Sequence, residues 1–413
     1  MKLGIIGGGA SGLVAAISAA REGAHVTVLE GGERIGRKIL ATGNGKCNFT
    51  NENMSNDCYR SNSIEDISSF LEAFGTKECL RFFEELGMLY KVKRGCYYPY
   101  SEQASTVLDA LRFEIDNLKE HILVLTEQKA NAVSVMADGQ VRVACKTNTF
   151  TFDRVILACG SKASPKTGSD GTGYRLLRSL DPGLHIVEPV PALVQLCAAE
   201  DYLKAVSGVR MEGRVSLYID GRQVCEDLGE IQLTDYGVSG IPVFQISRYA
   251  SYGVLQKSPV EVILDAMPYA DRKAFAGQMW QRKEKLQDRT AEQLVNGLLN
   301  KKVAALFCRL SGISMEQPVR SISEKQWKAF IKLCKEWKLT IKAVKGFDMA
   351  QICAGGLSMQ EINSHFALKK HPSVYAAGEL LDVDGICGGY NLQWAWTSGY
   401  LAGKYAALDK DKL

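Results

Sequence analysis

The order of apolar and polar positions at the start of the chain predicts a strand–helix–strand unit. Residues 3–6 form a short apolar run of strand length, and residues 13–20 have the small and apolar character of a buried helix. Residues 26–29 form a second strand-like run. A glycine-rich turn separates the first strand from the helix, so the chain opens on a compact βαβ-type unit.

The spacing of the glycines in that turn predicts a dinucleotide site. Gly7, Gly9 and Gly12 give GxGxxG, in which the glycines permit a tight turn, close approach of a pyrophosphate and close packing of helix on strand. The second strand ends on Glu30, which is placed to bind a ribose hydroxyl. An acid there disfavours a 2′-phosphate in the same pocket, so FAD or NAD is expected rather than NADP.

The remaining pattern predicts a cofactor domain made from both ends of the chain. Residues 64–120 are mostly helical in pattern, strand-like runs follow, and residues 155–158 form a buried strand before Gly160. Short β-type runs then dominate up to about residue 267, and helical, basic sequence follows to about residue 342. Near the C-terminus, a strand that ends in Gly378-Glu379 is followed by a final helix, which repeats the strand–glycine–helix order of the first residues. The predicted boundaries are 1–187 and 343–413 for an α/β cofactor domain, 188–267 for an inserted β unit and 268–342 for an inserted helical unit.

Composition favours a cytoplasmic protein that uses no metal. Hydrophobic residues make up 46% and charged residues 23% of the 413 residues, and no apolar run approaches the roughly 18 residues of a membrane span. The 12 cysteines are scattered without a CxxC pair, and the five histidines have no metal-ligand spacing. We therefore expect reduced thiols, no metal and no membrane contact.

Charge is distributed unevenly. Residues 271–345 contain 17 Lys/Arg against 7 Asp/Glu, while the whole chain carries +4. Within this basic segment, four lysines follow one side of residues 324–338 and apolar residues follow the neighbouring side. A solvated lysine face and a phosphate-binding face both fit this pattern.

A loop after Glu30 is a candidate for contact with the cofactor. Thr42, Asn44, Cys47 and Asn48 lie in a glycine-punctuated stretch, although an ordinary surface turn is the simpler alternative. Cys47 is either a proton donor, which a thiol of near-neutral pKa suits, or a buried structural cysteine.

Five motifs, taken together, resemble those of a known family. They are Thr42-Gly-Asn-Gly-Lys-Cys-Asn, Gly168-Ser-Asp-Gly-Thr-Gly-Tyr, Thr234-Asp-Tyr-Gly-Val-Ser-Gly, Ala354-Gly-Gly-Leu and the long stretch from Ala377 to Gln393. The chain resembles the bacterial flavoproteins that include 3-dehydro-bile acid Δ4,6-reductases and a ribosomal-RNA dihydrouridine synthase. The resemblance implies a Rossmann-like FAD-binding domain with an inserted β-barrel-like unit and a helical unit, with substrate admitted between them.

The resemblance and the motifs together give a set of candidate site residues. Cys47 and Tyr236 are candidate proton donors. The candidates for FAD binding are Gly7, Gly9, Ala10, Ser11, Gly12, Glu30, Lys38, Thr42, Gly43, Asn44, Gly160, Gly378, Glu379, Gly389, Tyr390 and Asn391.

Both named activities reduce a C=C bond conjugated to a carbonyl, so the resemblance implies an FAD-dependent reductase that takes electrons from NAD(P)H. The first hypothesis is a steroid- or bile-acid-like enone as substrate. The alternative is a uridine of ribosomal RNA, for which the basic segment would neutralise phosphates. A flavin-binding interaction protein without turnover is the third and least favoured hypothesis.

Overall fold

The computed structural model describes residues 1–408, and residues 409–413 of the predicted final segment lie outside that part. The chain forms two compact units, one from Met1–Val190 together with the chain from Gln351 onward, the other from Pro191–Ala350. The sequence placed the corresponding boundaries at 187/188 and 342/343. The structure does not divide the second unit at residue 267, because β-strands and helices share one core there.

The strands, in chain order, are β1 (Lys2–Ile6), β2 (His25–Leu29), β3 (Thr50–Asn51), β4 (Tyr59–Arg60), β5 (Tyr90–Lys93), β6 (Cys96–Pro99), β7 (Ile122–Leu125), β8 (Ala130–Val135), β9 (Val141–Cys145), β10 (Thr149–Phe152), β11 (Arg154–Leu157), β12 (Ile186–Ala192), β13 (Leu196–Ala198), β14 (Arg210–Ile219), β15 (Arg222–Leu233), β16 (Gly237–Ser239), β17 (Val260–Asp265), β18 (Trp337–Val344), β19 (Ile352–Leu357), β20 (Val374–Ala376) and β21 (Asp384–Gly385). The α-helices are α1 (Ala10–Arg21), α2 (Arg37–Ala41), α3 (Ser68–Ala73), α4 (Thr76–Glu85), α5 (Ala104–Asn117), α6 (Thr172–Leu180), α7 (Ile241–Leu255), α8 (Arg272–Lys285), α9 (Ala291–Val295), α10 (Lys301–Leu310), α11 (Glu324–Lys335) and α12 (Tyr390–Ala407).

A parallel sheet in the order β20-β11-β1-β2-β7 forms the centre of the first unit. Its inner strands are buried on both faces, as the continuous apolar runs predict. Strand β20 comes from the C-terminal part of the chain, which joins the two ends in one sheet. The prediction of an α/β Rossmann-type domain built from both chain ends is confirmed.

Helices α1 and α12 pack closely because glycines of α12 face the backbone of α1. A methyl group at Gly399 would lie 2.4 Å from the Ser11 carbonyl oxygen, and one at Gly403 would lie 2.3 Å from that of Ala15. The Ser18 hydroxyl donates to the Tyr400 carbonyl at 2.9 Å. This contact fixes the C-terminal helix against the helix that begins at the glycine turn.

The second unit is built on a closed barrel, in the order β13-β16-β15-β14-β17-β18. Its core combines aliphatic residues of the barrel strands with aromatic residues, and Trp327 and Phe330 of α11 stack with ring centroids 5.0 Å apart. The predicted β-barrel-like insertion and its accompanying helices are thus confirmed.

Three details of the second unit differ from the sequence expectation. Residues 241–255, which were expected to be β-type, form helix α7. The predicted amphipathic segment 324–338 divides into helix α11 and the start of barrel strand β18. Lys335 is not on a solvated face, because its ammonium lies 2.6 Å from Asp265 and also donates to two backbone carbonyls at 2.8 Å.

No helix within residues 1–408 is both long enough and apolar enough to cross a membrane.

Candidate functional site

The glycine turn lies at the carboxyl end of β1 and leads directly into α1. Gly7 has a φ of 109°, and a methyl group there would lie 2.5 Å from the Ala158 carbonyl oxygen. A methyl group at Gly12 would lie 1.9 Å from the Gly7 carbonyl oxygen. At Gly9, by contrast, a methyl group would meet no atom of the described chain within 4 Å. Packing therefore explains why positions 7 and 12 require glycine. Gly9, in contrast, lies beside an open space at the start of the helix.

Ala10 and Ser11 begin α1 beside residues from the other end of the chain. Gly378 has a φ of 72°, and a methyl group there would lie 2.5 Å from the Ser11 hydroxyl oxygen. Its N–H donates to Ser398 of α12 at 2.8 Å. Helix α1 and the Gly378 turn thus form one surface at the carboxyl edge of the sheet, where ligands bind in open α/β folds.

Glu30 directly follows β2 and holds the glycine turn. Its two carboxylate oxygens accept from the N–H groups of Gly8 at 2.8 Å and Gly32 at 2.7 Å. An open groove of about 650 Å³ begins next to Glu30 at Gly31 and Gly32. Carboxylates have further lone pairs, so Glu30 retains acceptor capacity for hydroxyl groups.

A charged cluster joins residues from three distant parts of the first unit. The Lys38 ammonium lies 2.7 Å from Glu379, which also accepts from the Ser161 hydroxyl at 2.9 Å. The Lys38 and Glu379 side chains are 26% and 18% exposed, so solvent screens the pair only partly. Sequence reasoning identified Lys38 and Glu379 but not Ser161, which follows Gly160 directly after a sheet strand.

Gly160 has a structural reason for being glycine. Its φ is 72°, and a methyl group there would lie 2.8 Å from the Ser169 hydroxyl oxygen. Ser169 in turn donates to the Ser161 carbonyl at 3.1 Å. The glycine- and hydroxyl-rich loop around residues 164–174 therefore packs on the turn that carries Ser161.

The loop at residues 42–48 adopts a tightly turned backbone. Gly43, Asn44 and Cys47 all have φ values between 53° and 55°, in the left-handed region. The Thr42 hydroxyl donates to the Ile39 carbonyl at 2.6 Å, and the Cys47 N–H donates to the Thr42 carbonyl at 3.1 Å. Gly43, Asn44 and Lys46 are exposed while Cys47 is buried, so a surface turn and a cofactor-binding loop both fit this geometry.

Cys47 is buried, which corrects the expectation of a near-neutral thiol. Burial raises the pKa of Cys47 to about 12, opposed in part by a hydrogen bond with Thr42. The thiol therefore stays protonated at neutral pH but is a weak acid. The buried-cysteine alternative describes its position, and its part in proton donation remains a prediction.

Asn48 lies beside the N-terminus of α12 with an unsatisfied acceptor. Within residues 1–408, its buried Oδ1 atom has no hydrogen-bond partner. A methyl group at Gly389, the residue that precedes α12, would lie 2.7 Å from this Oδ1. Because the first N–H groups of a helix are free donors, an unpaired acceptor and free donors lie side by side here.

Tyr390 and Asn391 hold the start of α12 in place. The Asn391 amide donates to the Gly385 carbonyl and accepts from the Gly385 N–H, each at 2.8 Å. Tyr390 is buried, and its carbonyl accepts from the Tyr59 hydroxyl at 3.0 Å. Burial raises the pKa of the Tyr390 phenol. The Asn391 side chain and the Tyr390 carbonyl thus hold the start of the helix.

Tyr236, the other candidate proton donor, belongs to the barrel unit. It lies in the turn before β16, and its carbonyl accepts from the Ala198 N–H at 2.9 Å. The Lys345 ammonium lies 3.9 Å from the centre of its ring. Sequence reasoning missed Lys345, since only the barrel brings the two residues together.

Direct contacts join some of the predicted residues of the first unit. Gly378 faces Ser11, Glu379 pairs with Lys38, and Gly389 faces Asn48 in the loop that also carries Gly43, Asn44 and Cys47. The assignment of these residues to a cofactor stays a prediction. No group of three or more His, Cys, Asp or Glu side chains in the described chain is arranged to hold a metal ion.

A parallel sheet with a glycine turn, an acid after the second strand and a returning C-terminal strand defines a Rossmann-type domain. The model of the family described as HI0933-like protein Rossmann domain matches residues 1–405, and the chain belongs to this family.

Two curated relatives cover nearly the whole chain. The chain is 43% identical to a 3-dehydro-bile acid delta(4,6)-reductase of Clostridium scindens, over 98% of this chain and 99% of the relative. It is 29% identical to a ribosomal RNA dihydrouridine synthase of Haemophilus influenzae, over 96% of each chain.

Solved structures with lower sequence identity share the fold. A 3-ketosteroid delta1-dehydrogenase from Sterolibacterium denitrificans aligns with a TM-score of 0.52 at 12% identity, covering 98% of this chain and 99% of that one. A 3-ketosteroid-delta4-(5alpha)-dehydrogenase from Rhodococcus jostii aligns with a TM-score of 0.50 at 14% identity, covering 98% and 96%.

Proposed function

We propose that the protein is an FAD-dependent oxidoreductase that reduces a C=C bond conjugated to a carbonyl in a steroid- or bile-acid-like enone, with NAD(P)H as electron donor. The observation that carries the proposal is the 43% identity to the bile-acid delta(4,6)-reductase over 98% of the chain. The name of that relative describes reduction of double bonds in a 3-dehydro bile acid, which is an enone.

The residues of the first unit fit FAD. The open space at Gly9 and the free N–H groups of α1 suit a pyrophosphate, and Glu30 suits the adenosine ribose. Lys38 and Glu379 would hold the polar chain between pyrophosphate and flavin ring. The unpaired Asn48 Oδ1 and the N-terminus of α12 offer an acceptor beside donors, which matches the alternating groups on the pyrimidine edge of a flavin.

When bound and reduced, FAD would supply the hydride that such a reduction requires. The chain must orient both molecules, exclude water and provide a proton at the second carbon of the double bond. Cys47 and Tyr236 are the proposed donors. The raised pKa of Cys47 makes its thiol a weaker acid than an exposed cysteine thiol. The effects of substituting Cys47 and Tyr236 therefore have to be compared.

Anaerobic stopped-flow absorbance tests the proposal. The purified protein, loaded with FAD and reduced, is mixed with a 3-oxo-Δ4 steroid or with unmodified ribosomal RNA. Rapid reoxidation by the steroid alone is the expected result. Cys47→Ala and Tyr236→Phe are then compared with the unchanged protein, and full reoxidation rates in both would remove the two proposed proton donors.

Reduction of a uridine in ribosomal RNA is the second candidate function. It is favoured by the 29% identity to the dihydrouridine synthase and by exposed lysines on α11, namely Lys325, Lys328 and Lys332. Reoxidation by RNA alone, slowed by added salt, would support this function in place of the first. If neither substrate reoxidises the flavin, a flavin-binding protein without turnover becomes the better hypothesis.

A further inference from the structure

The hairpin of β5 and β6 carries positive charge to which the proposed reaction assigns no role. Lys91 and Lys93 lie on the same face of β5, and both pair with Glu102, the Lys91 ammonium at 2.7 Å. Lys46 approaches the second oxygen of Glu102 at 3.4 Å. We call Lys46, Lys91 and Lys93 the lysine cluster. Because three ammonium groups surround one carboxylate, the group has a local charge of +2.

The lysine cluster is preorganised and accessible. Lys46 and Lys93 are 57% and 53% exposed, whereas Glu102 is only 23% exposed. Each ammonium has three donors, so donors remain after the bond to Glu102. Hydrogen bonds from Lys91 and Lys93 lower the pKa of Glu102 to about 2, which keeps this carboxylate charged and the lysines gathered around it.

The lysine cluster is continuous with the loop that we assign to the cofactor. Lys46 immediately precedes Cys47 and Asn48 in the chain. The Phe49 N–H donates to the Tyr97 carbonyl at 3.0 Å, and Thr50 pairs with Tyr97 in the small sheet formed by β3, β6 and β5. The backbone thereby ties the hairpin to the residues beside the N-terminus of α12.

A nicotinamide nucleotide requires a phosphate anchor of its own. The sequence has one GxGxxG fingerprint, and the proposed FAD site already uses it with Glu30. Without a second fingerprint, side chains have to bind the phosphates of the donor. A 2′-phosphate carries nearly two negative charges at neutral pH, which matches the excess charge of the lysine cluster.

We propose that the lysine cluster binds the 2′-phosphate of NADPH and makes NADPH the preferred electron donor. This inference rests on the proposed function, because it identifies the donor for the same flavin. Binding involves no covalent change. The nucleotide later gives up a hydride to become NADP⁺, and the FAD takes up that hydride and a proton.

Calorimetric titration of the FAD-loaded protein with 2′,5′-ADP and with 5′-AMP tests the inference without turnover. We expect 2′,5′-ADP to bind at least about tenfold more tightly, and Lys91→Gln or Lys93→Gln to remove about three- to tenfold of that preference. Glu102→Gln removes the competing negative charge but keeps an oxygen that accepts from the lysines, so 2′,5′-ADP binding should tighten about threefold. Lys119→Gln, which removes an exposed lysine of the same unit to which we assign no role, is the matched control and should change nothing.

Equal binding of the two nucleotides, or unchanged preference in the lysine variants, would overturn the inference. So would variants that weaken the binding of ribosomal RNA but leave that of 2′,5′-ADP intact. Dithionite can reduce the flavin without a nucleotide, and the enone can then be tested as oxidant. If the enone fails to reoxidise this protein, the proposed function is wrong, but the result of the nucleotide titration is unaffected.

Discussion

Gly9 and Gly12 lie three residues apart in one motif, but the structure requires glycine at them for different reasons. Gly9→Ala places a methyl group in open space, so the free energy of unfolding of the protein without FAD should change by less than about 1 kcal/mol. FAD affinity should fall at least about tenfold, because that space is the proposed pyrophosphate site. Fluorescence titration with FAD and urea unfolding measure the two effects separately.

Gly12→Ala is the matched comparison for that prediction. Its methyl group would lie 1.9 Å from the Gly7 carbonyl oxygen, so this variant should lose about 1–3 kcal/mol of folding stability even without cofactor. Loss of stability in Gly9→Ala as large as in Gly12→Ala would contradict a ligand-based reason for Gly9.

The pair between Lys38 and Glu379 supports a second prediction. Glu379→Gln leaves the Lys38 ammonium without its carboxylate at 2.7 Å, so stability without FAD should fall by about 1–2 kcal/mol. FAD binding should weaken in addition, because both side chains are proposed to contact the cofactor. Ser161→Ala removes only one neutral donor to Glu379 and should cost less in both measurements. Equal FAD affinity in the Glu379→Gln and unchanged proteins would argue against that contact.

Cys47 gives a prediction about pH. Its pKa is raised from 9.0 to about 12 in the folded state by burial, so the neutral thiol is favoured by folding. Its contribution to stability is therefore complete below pH 9 and is lost as pH rises towards 12. The native protein should resist iodoacetamide at Cys47 at pH 8, and Cys47→Ala should lose less stability between pH 9 and 11 than the unchanged protein. Mass spectrometry and urea unfolding check both, and rapid native labelling of Cys47 would disprove its burial.

At the scale of elements, the contact of α1 with α12 depends on glycine. Gly399→Ala should lower the free energy of unfolding by about 1–3 kcal/mol, since the methyl group would lie 2.4 Å from the Ser11 carbonyl oxygen. Gly277→Ala is the control within a helix, because a methyl group there meets no atom of residues 1–408 within 4 Å. It should leave stability unchanged or raise it by about 0.5–1 kcal/mol. Urea unfolding of both variants shows whether close packing or helix propensity determines the effect of replacing a helical glycine by alanine.

Elements with a strong local pattern could be predicted from the sequence, and those defined by distant partners could not. Strands β7 and β9 begin and end where their apolar runs do. Helix α7 is rich in β-branched and aromatic residues that are also common in strands, so its local pattern was misleading. The sequence places the residues of β18 up to 342 in the helical unit, because only pairing with β13 and β17 makes them a barrel strand.

The same distinction applies to the candidate site. The glycine turn and Glu30 lie within about 25 residues of each other and have a known spacing, so sequence alone identified them. Ser161 and Lys345 matter through Glu379 and Tyr236, which are distant in the chain. No local pattern indicates such a partner.

At the scale of the whole molecule, the basic charge of the second unit distinguishes the two candidate substrates. Replacing Lys325, Lys328 and Lys332 by glutamine removes three positive charges from the exposed face of α11 and should leave folding intact. If the substrate is a steroid-like enone, reoxidation by a 3-oxo-Δ4 steroid should be unchanged within about twofold, because a neutral substrate gains little from exposed lysines. If the substrate is RNA, the affinity for RNA should fall, and the dependence of log affinity on log salt should become shallower by about 0.7 for each lost phosphate contact.

Titrations with ribosomal RNA at several salt concentrations, together with stopped-flow experiments with the steroid, measure both quantities on the same variant. If the variant shows a shallower salt dependence and no longer reoxidises with RNA, RNA replaces the enone as the substrate. If the steroid kinetics are unchanged, these lysines contribute to solubility and not to substrate binding.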